Sequence, residues 1–254
     1  MPTNALPREI IVKVPAVTLG FWLLKIAATT LGETGGDALS MSLDLGYLLS
    51  TAIFAVIFAC AVGAQILAKK LHPLLYWFTI IATTTVGTTL ADFADRSLGI
   101  GYAGGSTLLL ILLLSSLIAW YRVMGSIAVE TVSSPKAEFF YWITIMLSQT
   151  LGTALGDWTA DTAGMGYLGS AGLFGGLLTL CVVGHFYTNI SKPILFWSAF
   201  ILTRPLGAVL GDFLDKPHEH GGLALDRFAA TAVLLGLMGV VMVIFPQKPA
   251  SKTH

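Results

Sequence analysis

Charged residues are scarce in this sequence of 254 residues: Asp, Glu, Lys and Arg together make up 11%, whereas 55% of the residues are hydrophobic. With a mean hydropathy of +0.80, such a composition excludes an ordinary soluble domain and is typical of a polytopic membrane protein. The formal net charge is zero, which argues against nucleic acid as a partner. The composition therefore predicts that the main partner of the chain is the lipid bilayer.

Motifs of enzymes and cofactor sites are lacking as well. The two cysteines, Cys60 and Cys181, fall in apolar stretches and form no CxxC pair, so they give no information about redox state or zinc binding. We find no Ser/His/Asp set, phosphate-binding glycine loop or HExxH motif, and we therefore predict no enzyme and no resident cofactor. The first fifteen residues lack a cleavage pattern, so Met1 to Pro15 is interpreted as a retained interfacial lead-in.

What the sequence does contain is a repeat that occurs four times. Each copy begins with a tryptophan, which is followed ten residues later by a glycine and fifteen residues later by an aspartate. Three copies have Gly-Tyr twenty-four residues after the tryptophan, and the fourth has Gly221-Gly222 there. The tryptophans are Trp22, Trp77, Trp142 and Trp197, and the aspartates are Asp37, Asp92, Asp157 and Asp212. Periodicity of this kind sets the architecture before other signals are considered.

Each repeat contains two apolar runs of roughly the ~20 residues that a helix needs to cross a bilayer. The first, here called the A helix, carries the Trp, Gly and Asp pattern, and the second, the B helix, is rich in Leu, Ala and Val. We predict an all-α integral membrane protein with eight transmembrane helices, pseudo-fourfold and built from parallel repeats, because two spans per repeat preserve direction. The single membrane domain divides into repeats at about 16–68, 71–124, 136–188 and 193–245.

Basic residues indicate the orientation. They concentrate at the termini, where Arg8 and Lys252 lie, and in the links from B to A helices, whereas only Arg96, Lys216 and Arg227 lie in the turns from A to B. The positive-inside rule then places both termini in the cytoplasm and the tryptophans in an aromatic belt at the inner interface. Fifteen residues of helix rise ~22 Å, so the aspartates are expected in the outer part of the membrane.

Polar residues recur on one face of the A helices, eight, eleven and fifteen residues after the tryptophan. A stripe of small residues spaced four apart runs beside this face and allows close helix packing. We therefore expect the four A helices to pack centrally with converging carboxylates, and the B helices to face lipid. The polar set is Thr30, Thr85 and Thr150 at position eight, Glu33, Thr88 and Thr153 at position eleven, and the four aspartates at position fifteen.

The spans contain more acids than bases. Lys25 is expected to snorkel to the inner surface, which leaves Arg204 as the internal counter-charge that pairs with a carboxylate. Carboxylate and threonine oxygens suit a bound divalent cation such as Mn²⁺, Mg²⁺ or Ca²⁺. Capping of the B helices is the expected role of the outer-turn acids Asp95, Asp161 and Asp215.

The repeat resembles a known family through its Leu-Gly-x-x-x-Gly-Asp ending, seen at Leu151 to Asp157 and at Leu206 to Asp212, and through the segment from Lys25 to Asp37. The family comprises bacterial multi-pass proteins built of four tandem two-helix repeats of unknown function, often labelled "membrane-anchored protein". The resemblance implies a location in the bacterial inner membrane and brings no activity with it.

The residues themselves predict a transporter of a cation, for which a divalent metal ion is the favoured choice and export the favoured direction. The four aspartates and Glu33 would bind the ion, and the three position-eight threonines would line its approach. Arg204 would pair with a carboxylate when the ion is absent. A cation channel with a carboxylate ring is the nearest alternative, and a non-transporting structural or sensory protein is another. The pattern is also compatible with a homo-oligomer.

Overall fold

The computed structural model describes residues 12–250, and within them the chain forms eight α-helices, two for each repeat. Arg8, Lys252 and most of the lead-in from Met1 to Pro15 lie outside the described residues. The all-helical prediction is confirmed for the part that is described. The helices are α1 (Leu19–Asp37), α2 (Gly46–Leu67), α3 (Pro73–Asp92), α4 (Tyr102–Met124), α5 (Pro135–Asp157), α6 (Gly166–Tyr187), α7 (Lys192–Asp215) and α8 (Arg227–Ile244).

Local sequence explains where several helices begin. The Thr18 side chain accepts a hydrogen bond from the N–H of Phe21 at 3.4 Å, and Ser134 accepts one from Ala137 at 3.2 Å, so each hydroxyl caps a helix start. Helices α3 and α5 both have proline in the first turn, where the missing N–H costs nothing. These signals fix the register of the A helices.

The repeated Gly-Tyr pair has a backbone explanation. The first three A helices each continue into one π-helical turn, and the chain then reverses at Gly46, Gly101 or Gly166, whose φ angles are 70°, 80° and 64°. Glycine adopts positive φ without steric cost, so the pair marks the start of each B helix. The fourth repeat lacks the motif and instead forms a short 3₁₀ turn at His218–His220 before α8.

The four A helices form a closed inner ring in the order α1, α3, α5, α7, and α7 packs back against α1. Each B helix packs outside this ring on the A helix of the following repeat: α2 on α3, α4 on α5, α6 on α7, and α8 on α1. We call the two sets the inner and the outer helices. The two ends of the described chain also meet, because Ala16 N–H donates to the Lys248 carbonyl and Ala250 N–H to the Val14 carbonyl, both at 2.8 Å.

Small residues set the close packing of the inner helices. The glycine ten residues after each tryptophan lies against the side chain seven residues after the next tryptophan in the ring. A Cβ placed on Gly87, for example, would lie 2.9 Å from backbone and side-chain atoms of Gln149. The contacts repeat around the ring as Gly32 with Thr84, Gly87 with Gln149, Gly152 with Arg204, and Gly207 with Thr29. This is the role expected for small-xxx-small spacing.

The outer helices present their apolar side chains to the surroundings. Only 11–17% of the residues in the apolar windows of α2, α4, α6 and α8 are buried, compared with 72% and 56% in those of α3 and α7. Among the described residues, these six helices are long and apolar enough to cross a membrane. An apolar exterior of this extent indicates a multi-pass membrane protein.

The tryptophans, expected in an aromatic belt at the inner interface, are mostly buried between the helices. Trp77, Trp142 and Trp197 are buried. Each packs against the aromatic residue that precedes the tryptophan of the neighbouring inner helix. The aromatic residue before each tryptophan is buried too, and the hydroxyls of Tyr76 and Tyr141 are 2.5 Å apart in a hydrogen bond. We call this cluster the aromatic plug; it comprises Phe21, Trp22, Tyr76, Trp77, Tyr141, Trp142, Phe196 and Trp197. It fills the tryptophan end of the inner ring.

Candidate functional site

The inner helices enclose a central axis lined by residues three, seven, eleven and fifteen positions after each tryptophan. All sixteen of these side chains are buried, and their spacing places them on one face of each helix. The levels run from Lys25, Ile80, Ile145 and Phe200, through Thr29, Thr84, Gln149 and Arg204, then Glu33, Thr88, Thr153 and Ala208, to the four repeated aspartates. The axis is therefore mostly apolar beside the aromatic plug, mainly polar in the middle, and lined only by aspartates at its far end.

Arg204 lies on this axis and connects all four inner helices. Its Nη2, which has two hydrogens to donate, lies 2.9 Å from Glu33 Oε2 and 2.5 Å from the hydroxyl oxygens of both Thr88 and Thr153. These three acceptors belong to α1, α3 and α5, so a single guanidinium from α7 spans the ring. Its side chain is completely buried and that of Glu33 is only 3% exposed. Such a pair is stable only when both charges remain together.

Lys25 does not snorkel to the surface, and that expectation was wrong. Its side chain is fully buried, with its ammonium 3.5 Å from Gln149 Oε1 and 4.2 Å from the centre of the Phe200 ring. Gln149 belongs to α5, which stands opposite α1 in the ring, so Lys25 points across the axis. The interaction with Phe200 is a cation–π contact.

The four repeated aspartates lie in two pairs, each bridged by one basic residue. Arg96 joins α3 to α5, because its Nε is 2.9 Å from Asp92 Oδ1 and its Nη2 is 3.5 Å from Asp157 Oδ2. Lys216 joins α7 to α1, with its ammonium 3.2 Å from Asp212 Oδ1 and in direct contact with Asp37 Oδ2. Arg96 and Lys216 thus supply much of the positive charge that the spans themselves lack.

Carboxylates are nevertheless concentrated at this level beyond simple pairs. Two groups of three place one oxygen from each member within 4.8 Å of the others: Glu33, Asp37 and Asp92 form the first, and Asp37, Asp212 and Asp215 the second. Two ionised carboxylates separated by 4.8 Å repel by about 3.5 kcal/mol at an effective dielectric constant of ~20. We call the second group the Asp37 triad. Both groups require nearby positive charge to remain ionised.

Several oxygens of these carboxylates have no acceptor role in the described part of the chain. Asp37 Oδ1, Asp157 Oδ1 and Asp215 Oδ1 are buried without a hydrogen-bond partner there, and no ion pair engages them. Buried polar atoms are ordinarily satisfied, and anionic oxygens are costly to leave bare. Free oxygens beside neighbouring carboxylates are a donor set that suits a hard cation.

Lys216, which lies just beyond the end of α7, is held in its charged form. Burial by itself lowers the pKa of its ammonium, but the carboxylates of Asp212, Asp37 and Asp215 act against burial and raise the pKa well above its ordinary value. A neighbouring cation, Arg227, donates from Nε to Asp215 Oδ2 at 2.9 Å. The Asp37 triad is therefore accompanied by two protein cations.

The position-eight threonines are buried but turned toward their own helices. Thr30, Thr85 and Thr150 each donate to the carbonyl four residues earlier at 3.0 Å. The hydroxyls that contact Arg204 come instead from position eleven, in Thr88 and Thr153. A role for the position-eight threonines along an ion pathway stays a prediction.

The outer-turn acids do not cap the outer helices. Asp95 and Asp161 lie within the π-helical turns at Phe93–Ser97 and Trp158–Thr162, whereas Asp215 is the buried last residue of α7. Helix α8 is capped by Asp226, whose Oδ1 accepts from the Ala229 N–H at 2.8 Å. Capping was therefore the wrong role for these acids. Asp215 belongs to the carboxylate level, because the last turn of α7 points it inward.

Sequence reasoning missed Arg96 and Lys216 as partners of the aspartates, although a signal was present. In repeats two and four, the repeated aspartate of the A helix is followed by a basic residue four positions later, in Asp92-Phe-Ala-Asp95-Arg96 and Asp212-Phe-Leu-Asp215-Lys216. Repeats one and three have Met41 and Asp161 at that position. Asp and Arg or Lys four residues apart lie on one helix face. The alternation reduces the pseudo-fourfold ring to a pseudo-twofold charge pattern.

Comparison with known proteins agrees with the fourfold repeat. The family described as "Repeat of Unknown Function (DUF347)" matches four tandem segments, at residues 20–70, 75–126, 140–191 and 195–245. No curated protein and no solved structure matches the chain. Since the four segments cover most of the sequence and each contains one inner and one outer helix, the chain belongs to the DUF347 repeat family.

Proposed function

We propose that this protein is a membrane transporter that moves a cation, in the first instance a divalent metal ion, by way of the carboxylate level of the inner helices. The observation that carries the proposal is the pair of buried three-carboxylate groups, which share Asp37 and include oxygens without partners in the described residues. Among residues 12–250, the ligands that these groups offer are all oxygens, which favours Mn²⁺, Mg²⁺ or Ca²⁺ over softer metals. Glu33, Asp37, Asp92 and Asp212 belong to these groups and, together with Asp157, which belongs to neither, are the proposed ligands.

The filled axis favours a transporter over a channel. Between the carboxylates and the tryptophan end stand the Arg204 and Glu33 pair, the Lys25 side chain and the aromatic plug. A channel conducts along a continuous path, whereas here an ion needs a change in the packing of the inner helices to pass. A change between two packings of the same helices is the usual basis of alternating access.

The charge distribution supports a specific orientation, with the tryptophan end in the cytoplasm. Lys13, the links between repeats and Lys248 are basic and lie at that end. The three basic residues of the opposite end, Arg96, Lys216 and Arg227, are each bound to buried carboxylates. They are therefore neutralised locally and weigh little against the positive-inside rule. We place both termini in the cytoplasm and the protein in the bacterial inner membrane.

A structural or sensory role is the second candidate, and the ion pairs favour it. Each repeated aspartate has a basic partner, so the charges could serve only to lock the four inner helices together. In that case the protein binds no cation, and neutral substitutions at the aspartates affect stability alone.

Flux measurements in proteoliposomes separate these candidates. Purified protein should accumulate Mn²⁺ against its gradient, and Asp37→Asn, Asp92→Asn, Asp157→Asn and Asp212→Asn should each reduce the flux strongly. Asp44→Asn is the matched control, because Asp44 lies in an A-to-B turn and is exposed. Wild-type flux in all four aspartate variants would refute the proposal. Absence of both flux and Mn²⁺ binding by the folded protein would establish the structural alternative.

A further inference from the structure

One basic residue in each half of the ring reaches from the end of an inner helix to the carboxylates. Arg96 and Lys216 occupy the same repeat position, four residues after an aspartate. They differ in what surrounds them, because both carboxylates that Lys216 contacts belong to the Asp37 triad, whereas of the two carboxylates that Arg96 bridges only Asp92 belongs to a three-carboxylate group. The lysine therefore lies beside the larger concentration of carboxylates.

We infer that the Lys216 ammonium is a tethered counter-ion of the transport site, and that a divalent cation displaces it from Asp37 and Asp212 and binds all three carboxylates of the Asp37 triad. The inference rests on the proposed function, because it takes cation binding at this level as given. It adds Asp215 as a ligand and assigns Lys216 the task of holding the site together between ions. Binding and release then become an exchange of one positive charge for another.

The geometry of the triad supports the exchange. The ammonium already lies where a metal ion would lie, in contact with Asp37 Oδ2 and 3.2 Å from Asp212 Oδ1. Asp37 Oδ1 and Asp215 Oδ1 are buried and have no partner among the described residues. An ammonium has only three hydrogens to donate, whereas a divalent cation accepts six or more oxygens.

The charges of the triad match a divalent ion. Arg227 stays bound to Asp215, and its Nη1 is also 3.2 Å from Ser42 Oγ. When the Lys216 ammonium withdraws, three carboxylates and one guanidinium leave a net charge of minus two. A divalent cation neutralises this charge fully, whereas a monovalent cation leaves one negative charge buried, which is unfavourable.

Lys216 is built so that its side chain can move while its backbone stays fixed. Its carbonyl accepts a hydrogen bond from the Ala224 N–H at 2.9 Å, and Gly222 packs directly on the same peptide. The side chain is 12% exposed, whereas Arg204 is completely buried. A lysine stem has four rotatable carbons and reaches water easily. Lys216 is therefore better placed than Arg204 to leave its carboxylates.

Mn²⁺ binding to the purified full chain in nanodiscs tests the exchange. If Lys216 occupies the triad about nine-tenths of the time, Lys216→Met should tighten the apparent Mn²⁺ affinity about tenfold. Lys216→Arg should not tighten it, because the positive charge beside the carboxylates is retained. Lys70→Met controls for surface charge, since Lys70 is exposed. Arg96→Met removes the equivalent charge from the other half of the ring, and it should tighten the affinity less than Lys216→Met does, because only one of the two carboxylates that Arg96 bridges belongs to a three-carboxylate group.

Calorimetric titration with Mn²⁺ should give the same affinity whether or not K⁺ is present at an equal concentration, because a monovalent ion does not neutralise the triad. A second measurement uses the wild-type protein and needs no folded variant: amine acetylation of Lys216, followed by mass spectrometry, should increase when Mn²⁺ is added. Tightening by Lys70→Met or Arg96→Met as large as that by Lys216→Met would overturn the inference. So would unchanged acetylation of Lys216 at saturating Mn²⁺. If Asp37→Asn still abolished flux in either case, the proposed function would stand without the exchange.

Discussion

The contact between Arg204 and Glu33 gives the sharpest test of how the inner ring is held together. Arg204→Met removes the guanidinium but keeps a long apolar side chain, which leaves the Glu33 carboxylate buried with only Thr88 within reach, at 3.3 Å. Glu33→Met leaves the opposite charge unpaired. The double variant removes both charges and replaces them with apolar volume.

The expected magnitudes follow from the burial of both partners. Each single variant should lower the free energy of unfolding by about 3–5 kcal/mol, because one buried charge loses its partner. The double variant should lose much less unfolding free energy than either single variant, since no unpaired charge remains. The position-eleven threonines also keep bonds to their own helices, as Thr88 does to the Thr84 carbonyl at 3.2 Å. The cycle should therefore show a coupling of several kcal/mol.

Unfolding in mixed micelles with increasing SDS, followed by far-ultraviolet circular dichroism, measures all four free energies. The control cycle combines Arg204→Met with Glu138→Gln. Glu138 pairs with Lys13 at 2.7 Å near the start of α5, so this second cycle should be additive. Additive effects in the first cycle would refute the idea that one guanidinium ties the ring together.

Three further substitutions can be measured by the same unfolding assay. Gly87→Ala should destabilise by about 1–3 kcal/mol, because its new methyl group would meet Gln149 at 2.9 Å, whereas Gly176→Ala on the exposed face of α6 should be neutral or stabilising by up to ~1 kcal/mol; equal effects would contradict the packing. Asp226→Ala should cost about 1 kcal/mol through loss of the α8 cap, and no loss would argue against that cap. Lys25→Met should stabilise the fold by about 1–3 kcal/mol, because it removes a buried charge without a carboxylate partner, and a marked destabilisation would show that the Lys25 contacts outweigh its desolvation.

The repeat pattern carried most of the information about architecture. Apolar length predicted two helices per copy, and glycines spaced four residues apart predicted that the A helices pack closely at the centre. Both follow from local properties, namely the period of an α-helix and the absence of a Cβ. The same reasoning could not predict that each outer helix packs on the inner helix of the next repeat, because short connections permit either neighbour.

The polar network was harder to predict, because its members come from different helices. Lys25 lies only three residues after Trp22, and its depth along the sequence was compatible with a side chain that reaches water. The aromatic plug closes that route, since Phe21 and Phe196 pack together above it. The direction in which a long side chain points depends on its surroundings. Those surroundings form only when the helices assemble.

The sequence alone determined that this is an all-helical fourfold repeat with acids at one end of its inner helices. Each of those features can be recognised within one repeat or by comparing repeats along the sequence, so residue spacing and composition are sufficient to identify it. The tertiary structure alone decided which basic residue meets which acid, because Arg96, Arg204 and Lys216 all reach across to a neighbouring helix. The offset between adjacent helices, set by glycine contacts, brings these charges together, and no single helix encodes that offset.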